Sequence, residues 1–503
     1  MQLETVRDYI NFNSKNYPDT NFVTCPHTEI KISNKNLKIN LDKLNYYLTV
    51  QKEQKIGSLI CTLTENSLSG IQLMLGIMYS GMIQVPLNLV AGEDQLAYII
   101  EHSGSKILFS TKSNVELAKK IIKKSKCEID LIEIDKDNFV NKLDNQKKDL
   151  IGINKSSNCL LMYTSGTTGK PKGVMLTHDN VLSGGKNVMD SHKLTSSDIA
   201  MCVLPLYHIN GLIVTVMGPL VSQSLIVLSE KFSATNFWKH IEKYNCTWFS
   251  IVPTIISSLL NKYSEVKTVN YNLSSIRFGR SASAALAPET HKNFEKKFKI
   301  KLIETMGLTE TCAPILSNPL SPNQIKYGSP GIPYGNEVCI VNDKYEQVER
   351  NIIGQICVRG KNVMKEYFKN PQETKKSFYK DWFLTGDLGL MDDENFIFVK
   401  GRIKELIIKG GENISPREID DILYQHPNIL EAAAFGVACD HYGEKIEAGV
   451  VLKTKGITSE EEILNHCKNL LGNFKSPSKI HFFKELPKGS SGKIQRLKIS
   501  ELI

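Results

Sequence analysis

The stretch Tyr-Thr-Ser-Gly-Thr-Thr-Gly-Lys-Pro-Lys-Gly, residues 163–173, interleaves glycines with hydroxyl side chains and two lysines. Glycine lets backbone N–H groups turn toward an anion, while hydroxyl and ammonium groups add donors and positive charge. This combination suits a polyphosphate, so the sequence predicts a nucleotide-binding loop in an enzyme. The predicted phosphate ligands are Thr164, Ser165, Gly166, Thr167, Thr168, Gly169, Lys170 and Lys172.

Two other interpretations of this loop fit the residues less well. A Walker A loop needs serine or threonine directly after its Gly-Lys to bind magnesium, but Pro171 follows Lys170 and cannot ligate a metal. A flexible linker is disfavoured because apolar runs, residues 159–162 and 174–176, flank the loop on both sides. We therefore expect the loop inside a folded domain.

Composition indicates an ordinary globular protein. The 503 residues, of which 41% are apolar, suffice for roughly two to four domains with full-sized cores. The formal net charge is +9, but the lysines are spread along the chain, so we expect solvated surface and no nucleic-acid binding. The densest basic run, residues 119–126, has the apolar spacing of an exposed amphipathic helix.

Cysteine usage and the chain termini bear on the cellular compartment. The eleven cysteines are scattered singly, which favours a reducing compartment over a disulfide scaffold or structural zinc. Residues 1–18 lack the apolar core of a signal peptide, and the tripeptide 501–503 is not a peroxisomal signal. We therefore expect a cytoplasmic protein.

One apolar stretch, residues 199–229, contains no Asp, Glu, Lys or Arg and is long enough to span a bilayer. Prolines and polar residues interrupt it, namely Pro205, His208, Asn210, Pro219 and Gln223. We therefore expect no membrane span, but a loop followed by a buried helix near 212–220 and a buried strand near 224–228.

The fold class follows from the alternation of short β-rich runs with helical segments between about residues 60 and 400, which predicts α/β layers around mainly parallel sheets. The clearest runs are 83–87, 106–110, 224–228 and 247–252. Near residue 400 a strand at 396–399 leads into a Gly-Gly turn, a helix at 416–425 and strands at 432–437 and 448–452. We expect an N-terminal domain over 1–400, a hinge at 401–404 and a C-terminal domain over 405–503.

Four further motifs follow the loop along the chain. They are Glu304-Thr-Met-Gly-Leu-Thr-Glu310, Trp382-Phe-Leu-Thr-Gly-Asp387, Gly401-Arg-Ile-Lys-Glu405 and Ser491-Gly-Lys-Ile-Gln-Arg496. With the loop they resemble the ordered motifs of the acyl-adenylate-forming superfamily, which unites acyl-CoA synthetases, firefly luciferase and the adenylation domains of peptide synthetases. The resemblance covers almost the whole chain and implies a large N-terminal multi-layer α/β domain with a small mobile C-terminal α+β domain.

The resemblance also implies a reaction in two steps. A carboxylate attacks the α-phosphate of ATP, with Mg²⁺ bound, to give an acyl-AMP and pyrophosphate, and a thiol then displaces AMP to give a thioester. Charge gathers on the phosphates in the first step, so cations and oriented N–H groups should dominate catalysis. The thiol belongs to coenzyme A or to the phosphopantetheine of a carrier protein. Lys493 lies ten residues before Ile503 with no carrier domain after it, which favours coenzyme A.

The resemblance assigns roles to the motif residues around the phosphates. The loop would hold the β- and γ-phosphates, and Thr309 would contact the α-phosphate. Glu310 resembles the family's magnesium-coordinating acid, with Thr164 as a second metal contact, since Mg²⁺ bridging phosphates needs only one or two protein carboxylates. Glu310 could instead be a helix-cap acid and Asp387 a turn carboxylate, but these are the less favoured interpretations. Lys493 taken alone would more often be solvated surface, and the other four motifs reverse that preference.

Further roles fall on the later motifs. Asp387 matches the acid that accepts both ribose hydroxyls, Arg402 a basic residue on the same sugar, and Lys493 the lysine that reaches the α-phosphate and acyl oxygens. Lys404 matches the hinge about which the C-terminal domain rotates after adenylation. Rotation would withdraw Lys493 and bring Lys409, Gly410 and Gly411 to line a channel for the thiol.

Some positions depart from the family pattern. Met306 stands, before Gly307, where many relatives stack a tyrosine on adenine. The segment Arg280-Ser-Ala-Ser283 stands where many relatives have Gly-Gly-Ala beside adenine and acyl group. The resemblance therefore implies that Ser283, Met306 and Gly307 contact the nucleotide.

The acyl pocket bears on the substrate, which we expect to be a small carboxylic acid. His208 would gate the pocket or contact the carboxylate. No aspartate follows Pro205 to pair with an amino group, which disfavours amino acids. The segments 232–238 and 280–283 are similar to oxalate-CoA ligases, although Asn210 and Ala282 replace the His and Cys of that subgroup. Arg280 then favours a short or dicarboxylic acid, with aryl and medium-chain acids as alternatives.

Other classes of protein share part of this pattern. A regulatory adenylate-binding protein would not need the intact set Glu310, Asp387 and Lys493. A luciferase-like oxidative enzyme carries the same motifs, and light emission distinguishes it. A kinase would convert ATP to ADP instead of AMP.

Overall fold

Four β-sheets organise the chain in the computed structural model, which describes residues 3–164, 170–264, 270–321, 324–454, 456, 458–489 and 493–503. The strands of these residues, in chain order, are β1 (Asn21–Thr24), β2 (Lys31–Ser33), β3 (Leu59–Leu63), β4 (Ile83–Pro86), β5 (Ile107–Thr111), β6 (Asp130–Ile134), β7 (Asn158–Thr164), β8 (Lys172–Thr177), β9 (Ile199–Cys202), β10 (Leu225–Leu228), β11 (Trp248–Ile251), β12 (Phe278–Ser281), β13 (Leu302–Leu308), β14 (Ala313–Ser317), β15 (Ile332–Pro333), β16 (Glu337–Val341), β17 (Gly354–Arg359), β18 (Glu366–Tyr367), β19 (Phe378–Tyr379), β20 (Trp382–Met391), β21 (Ile397–Arg402), β22 (Ile407–Lys409), β23 (Glu412–Ile414), β24 (Ile429–Cys439), β25 (Gly443–Leu452) and β26 (Ile480–Phe482).

Helices connect and cover these strands. The α-helices of the described residues are α1 (Val6–Asn16), α2 (Asn34–Tyr46), α3 (Leu68–Tyr79), α4 (Glu93–Ser103), α5 (Val115–Ser125), α6 (His178–His192), α7 (Gly218–Ser222), α8 (Phe237–Tyr244), α9 (Pro253–Lys262), α10 (Pro288–Phe298), α11 (Pro371–Lys376), α12 (Pro416–Leu423), α13 (Glu460–Lys475) and α14 (Arg496–Ile499). Short 3-10 helices lie at Lys112–Asn114, Val140–Lys142, Thr309–Thr311, Ile403–Glu405 and Ser500–Leu502, and π-helical segments at Tyr47–Gln51 and Asn210–Met217.

Two large sheets confirm the predicted mainly parallel α/β architecture. The nine-stranded sheet has the order β15-β14-β13-β12-β11-β9-β10-β1-β2 and is parallel from β13 to β1. The seven-stranded sheet has the order β18-β8-β7-β4-β3-β5-β6 and is parallel from β7 to β6. The four clearest predicted runs correspond to β4, β5, β10 and β11.

A third sheet was not predicted as a separate unit. Strands β16, β17, β20 and β19 pair in that order, β21 pairs with β20, and every pairing is antiparallel. Because β20 and β21 are antiparallel neighbours, Asp387 and Arg402 are Cα partners across them. This sheet therefore brings together two motifs that are 15 residues apart in the sequence.

The fourth sheet belongs to the C-terminal part of the chain. It has the order β23-β22-β25-β24 with β26 on β25, and its long antiparallel pair β24–β25 contains the two predicted strands. Helix α12 begins with Pro416 in its first turn, where the missing N–H costs nothing. Strand β21 runs through the start of the predicted hinge, and the chain leaves it in the 3-10 helix Ile403–Glu405.

The two large sheets share one apolar core. Helix α3 is buried along its whole length, and α3 and α6 contribute side chains to a cluster that includes residues of both sheets. The apolar stretch 199–229 forms β9, the π-helical segment, α7 and β10, all largely buried. The buried helical region and the strand β10 were predicted, whereas β9 and the π-helical winding were not. Among the residues that the structure describes, every helix is too short or too polar to span a lipid bilayer.

Helix α6 connects this core to the end of β13. Its N-terminus is closed by a capping box, in which Thr177 and Asn180 exchange side-chain and backbone hydrogen bonds. The Asn180 amide also donates to the carbonyls of Lys361 and Val363. Within the helix, Gly184 faces the carbonyl of Cys312, and a Cβ built on Gly184 would lie 2.3 Å from that oxygen.

We predict that Gly184→Ala lowers the free energy of unfolding by about 1–3 kcal/mol, because the added methyl group overpacks the contact with Cys312. Chemical denaturation measures the change. The matched control is Gly152→Ala, since a Cβ there meets nothing within 4 Å and should change stability by less than about 0.5 kcal/mol. Equal effects of the two substitutions would contradict the packing argument.

Candidate active site

The two described ends of the glycine-rich loop lie side by side. Thr164 ends β7 and Lys172 begins β8, and the two are Cα partners in the hairpin. The Lys172 ammonium pairs with Glu373 and lies 5.2 Å from the centre of the Tyr367 ring, while that of Lys170 lies 5.6 Å from the Tyr98 ring. Five predicted phosphate ligands, Ser165, Gly166, Thr167, Thr168 and Gly169, lie outside the described residues.

Tyr367 connects the loop to the predicted magnesium ligand. Its hydroxyl donates to Glu310 Oε1 at 2.8 Å, and the Lys172 ammonium lies over its ring. Burial and the neighbouring Glu310 carboxylate raise the pKa of Tyr367, so the phenol stays protonated and remains a donor. A single side chain, that of Tyr367, thus connects Glu310 to Lys172 at the end of the loop.

Glu310 and Thr309 lie in the 3-10 turn that follows β13. The turn is fixed by the Thr311 hydroxyl, which accepts from the Leu308 N–H at 3.0 Å, and by the Met364 N–H, which donates to the Glu310 carbonyl at 2.7 Å. These bonds fix the backbone of the turn, so the Glu310 carboxylate is left to accept its bond from Tyr367.

Asp387, Arg402 and Lys493 form a second cluster. Arg402 Nε lies 2.9 Å from Asp387 Oδ1. The other carboxylate oxygen, Asp387 Oδ2, is buried and has no hydrogen-bond partner among the described residues. A buried acceptor without a donor is costly, and a pair of ribose hydroxyls would supply the missing donors.

The charges of this cluster act on one another. Burial raises the pKa of Asp387, partly offset by the positive charges of Arg402 and Lys493. Burial and the neighbouring Arg402 lower the pKa of Lys493, while the carboxylates of Glu405 and Asp387 oppose that shift. Lys493 is therefore a desolvated ammonium group near a carboxylate, the setting in which a cation binds an anionic ligand strongly.

A cavity of about 220 Å³ lies at this cluster, between the N-terminal sheets and the C-terminal part of the chain. Six residues predicted to bind the nucleotide line it, namely Ser283, Met306, Gly307, Asp387, Arg402 and Lys493. The C-terminal helix α12 adds Arg417, Asp420 and Asp421 to the opposite wall. The cavity is therefore closed only when the two parts of the chain meet.

Other predicted site residues are not among those that line this cavity. Lys409, Gly410 and Gly411 form the turn between β22 and β23, where Lys409 packs on the Tyr442 and Phe474 rings. Lys404 is exposed on the 3-10 helix after β21. None of these residues, nor His208, Thr309 or Thr164, is among the cavity-lining residues of the described chain.

Several site residues were not predicted from the sequence. Glu304 is buried in the cavity wall, its Oε1 accepts from the Leu286 N–H at 3.1 Å, and burial raises its pKa to about 7. Its position at the head of the Glu304–Glu310 motif was a signal for it. Tyr367, Glu373 and Arg417 had no comparable signal, because only tertiary packing brings them to the site.

Arg280 lies in β12 behind the cavity and is fully buried. Its Nη1 donates to Asn210 Oδ1 at 2.7 Å and to Ser250 Oγ at 2.8 Å. No carboxylate of the described residues pairs with it, and burial lowers its pKa to about 9, so the guanidinium keeps its charge near neutral pH. Arg280 does not line the cavity, but hydrogen bonds through Asn210 connect it to Ser283, which does.

We predict that Lys493 reacts with acetic anhydride at lower pH than exposed lysines, because its pKa is lowered. Glu405→Gln should shift the labelling curve of Lys493 to still lower pH, since a carboxylate that raises the pKa is lost. Competitive labelling with mass spectrometry measures both curves. Glu412→Gln, an exposed change in the β22–β23 turn, is the control. An unchanged curve in Glu405→Gln would contradict the electrostatic account.

Known proteins resemble this chain in both sequence and fold. The sequence model of the AMP-binding enzyme family matches residues 11–368, and that of the AMP-binding enzyme C-terminal domain matches residues 418–493. The sulfoacetate–CoA ligase of Cupriavidus necator is 41% identical over 448 residues, which cover 88% of this chain and 87% of the relative. The oxalate–CoA ligase of Arabidopsis thaliana is 36% identical over 453 residues, covering 88% of each. The crystal structure of ATP-bound MatB from Rhodopseudomonas palustris superposes with a TM-score of 0.91 at 27% identity, covering 100% of this chain and 99% of that one.

Proposed function

We propose that this chain, which belongs to the AMP-binding enzyme family, activates a small acid bearing a second anionic group in the cavity at Asp387 and Lys493. The predicted superfamily and fold are confirmed, and so is the enzyme class, an AMP-forming acid–CoA ligase that uses ATP, Mg²⁺ and coenzyme A. The specific acid and the role of each residue are the parts that we propose.

The observation that carries the proposed substrate class is the buried charge of Arg280. A guanidinium in a protein interior is normally paired with a carboxylate, because an unpaired buried charge is costly. Here the described residues provide only neutral partners, Asn210 and Ser250, on its Nη1. An anion bound in the cavity beyond Ser283 would supply the missing counter-charge, acting on Arg280 through the hydrogen bonds of Asn210 and Ser283. Sulfoacetate and oxalate, the acids in the names of the two relatives above, each carry such a second anionic group.

The nucleotide roles follow from the two clusters. The unpartnered Asp387 Oδ2 would accept the ribose hydroxyls, and Arg402 would hold Asp387 in place. Lys493, in the same cavity, would bind the α-phosphate and the attacking carboxylate. Thr164, Lys170 and Lys172 would hold the outer phosphates from the loop.

The residues present also fit a magnesium ion. Glu310 offers a carboxylate with one oxygen bonded to Tyr367, and a phosphate-bound Mg²⁺ needs only one or two protein carboxylates besides water. When bound, the ion neutralises charge on the phosphates. The described residues contain no compact His, Cys, Asp and Glu cluster of the kind that holds a metal without a nucleotide. We therefore propose that the metal arrives with ATP.

The thioester step requires another arrangement of the C-terminal part. Lys493 lines the cavity and the Lys409–Gly411 turn does not, which supports the proposal that this is the adenylation arrangement. Rotation near residues 401–404 would withdraw Lys493 from the cavity and bring the Lys409–Gly411 turn to it.

Free coenzyme A is the proposed acceptor, since the two relatives are named CoA ligases, and a carrier-protein acceptor gains no support from them.

We predict that Mg²⁺-dependent pyrophosphate release from ATP is at least about tenfold faster with sulfoacetate, oxalate or malonate than with acetate or octanoate. The reason is that the second anionic group of the first three acids gains one charge-assisted contact in the cavity. The panel also contains 4-coumarate and glycine, and each acid is tested with and without coenzyme A. AMP with thioester only in the presence of coenzyme A is the expected result. A response only to medium- and long-chain acids would refute the substrate class.

We predict that Lys493→Ala slows adenylation about 10²–10³-fold, because a cation at the developing phosphate charge is lost. Thioester formation from supplied acyl-AMP should stay near the wild-type rate. Stopped assays of pyrophosphate and of thioester measure the two steps separately. Lys468→Ala, which removes an exposed lysine of α13, is the control. Equal loss of both steps in Lys493→Ala would contradict the proposed separation of the half-reactions.

A further inference from the structure

The hydrogen-bond network that begins at Arg280 has a fixed direction. Arginine can only donate, so the Asn210 atom 2.7 Å from Arg280 Nη1 must be the amide oxygen. Ser250 Oγ accepts from Arg280 and donates to the same oxygen at 3.1 Å. The arginine therefore decides the orientation of the Asn210 amide, which diffraction alone would leave ambiguous.

The orientation of Asn210 in turn decides the orientation of the Ser283 hydroxyl. With its oxygen toward Arg280, Asn210 presents its NH₂ group to Ser283 Oγ, 3.1 Å away. The serine oxygen must accept this bond, which leaves its hydroxyl hydrogen for another acceptor. The described part of the chain offers that hydrogen no acceptor, and Ser283 lines the cavity.

We propose that Arg280, Asn210 and Ser283 form a relay that turns the Ser283 hydroxyl into a hydrogen-bond donor aimed at the anionic acid in the cavity. The inference rests on the proposed function and names the contact that recognises its substrate. Ser283, predicted from the sequence to contact the nucleotide, is here assigned to the acid instead, and Asn210 is a positioning residue.

The physical basis of the relay is polarisation along the chain of donors. The buried guanidinium draws electron density from the Asn210 oxygen, and the amide draws it from the Ser283 oxygen, which strengthens the outward O–H donor. Asn210 is itself buried, so water does not compete with these bonds. The positive φ of Ser283, 72°, is sparsely populated for a residue with a side chain and is held by this surrounding structure.

The relay explains how a charge without access to the cavity can select an anion. Arg280 is 1% exposed and does not line the cavity, so it cannot bind the acid directly in this arrangement. A neutral donor oriented by a buried cation favours an acceptor such as a carboxylate or sulfonate oxygen and disfavours a donor such as an ammonium group.

The test is a double-mutant cycle on the acid that responds in the wild-type protein. Ser283→Ala removes the donor and should raise KM for the acid about tenfold or more, the loss of one hydrogen bond to a charged group. Asn210→Asp keeps the side-chain shape but offers Ser283 an acceptor, so the hydroxyl turns inward and KM for the acid should rise similarly. The double variant should match either single variant instead of multiplying the two effects. KM for ATP should stay unchanged in all three.

Control variants separate the hydroxyl from the backbone and from the cavity wall. Ser283→Gly also removes the hydroxyl but tolerates positive φ, so it should raise KM for the acid as much as Ser283→Ala does. Ser257→Ala makes the same change on the cavity wall at a serine outside the network and should leave KM unchanged. Thermal unfolding of each variant, and its KM for ATP, show that the fold and the nucleotide site are intact.

The outcomes distinguish the relay from the proposed function. If no acid in the panel responds in the wild-type protein, the proposed substrate class fails and the relay falls with it. If an acid responds but Ser283→Ala leaves its KM unchanged, or raises KM for ATP instead, only the relay is overturned. If Asn210→Asp still raises KM for the acid in the Ser283→Ala background, neutralisation of Arg280 is responsible and the relay is likewise overturned.

Discussion

The pairing of Asp387 with Arg402 is the interaction on which the site depends. Both residues lie at the seam between the N-terminal sheets and the C-terminal part, and the antiparallel register of β20 and β21 makes them partners. Arg402 satisfies one carboxylate oxygen and leaves the other buried and unpartnered. The C-terminal part then closes the cavity with Lys493, whose positive charge favours the ionised carboxylate. One strand pairing thus creates a site that only a ligand with donors and negative charge completes.

Arg280 acts on the same cavity from behind its wall. A buried cation among neutral partners costs free energy in the absence of a ligand, and sites that store such a cost tend to be functional. The direction of its hydrogen bonds passes from a group that can only donate, through an amide, to a hydroxyl at the cavity. Charge can therefore determine selectivity without touching the substrate.

The sequence predicted the architecture where local pattern decides it. Runs such as 83–87 and 247–252 became strands of the parallel sheets, because apolar β-rich segments bury well there. Asp387, Arg402 and Lys493 were predicted as a set from their motifs and lie in one cavity. Sequence reasoning missed the separate antiparallel sheet and the contacts of Tyr367 and Glu373, since residues far apart in the chain have no local signature. It placed Arg280 near the pocket but gave no sign that Asn210 would connect it by hydrogen bonds to Ser283.

A crystal structure of the protein with ATP and magnesium tests the central claim most directly, that the cavity at Asp387 is where the nucleotide is held for attack by the acid. The account predicts both ribose hydroxyls within hydrogen-bond distance of the Asp387 carboxylate and the Lys493 ammonium at the α-phosphate. ATP bound with its ribose elsewhere, or with Asp387 Oδ2 still lacking a donor, would contradict it.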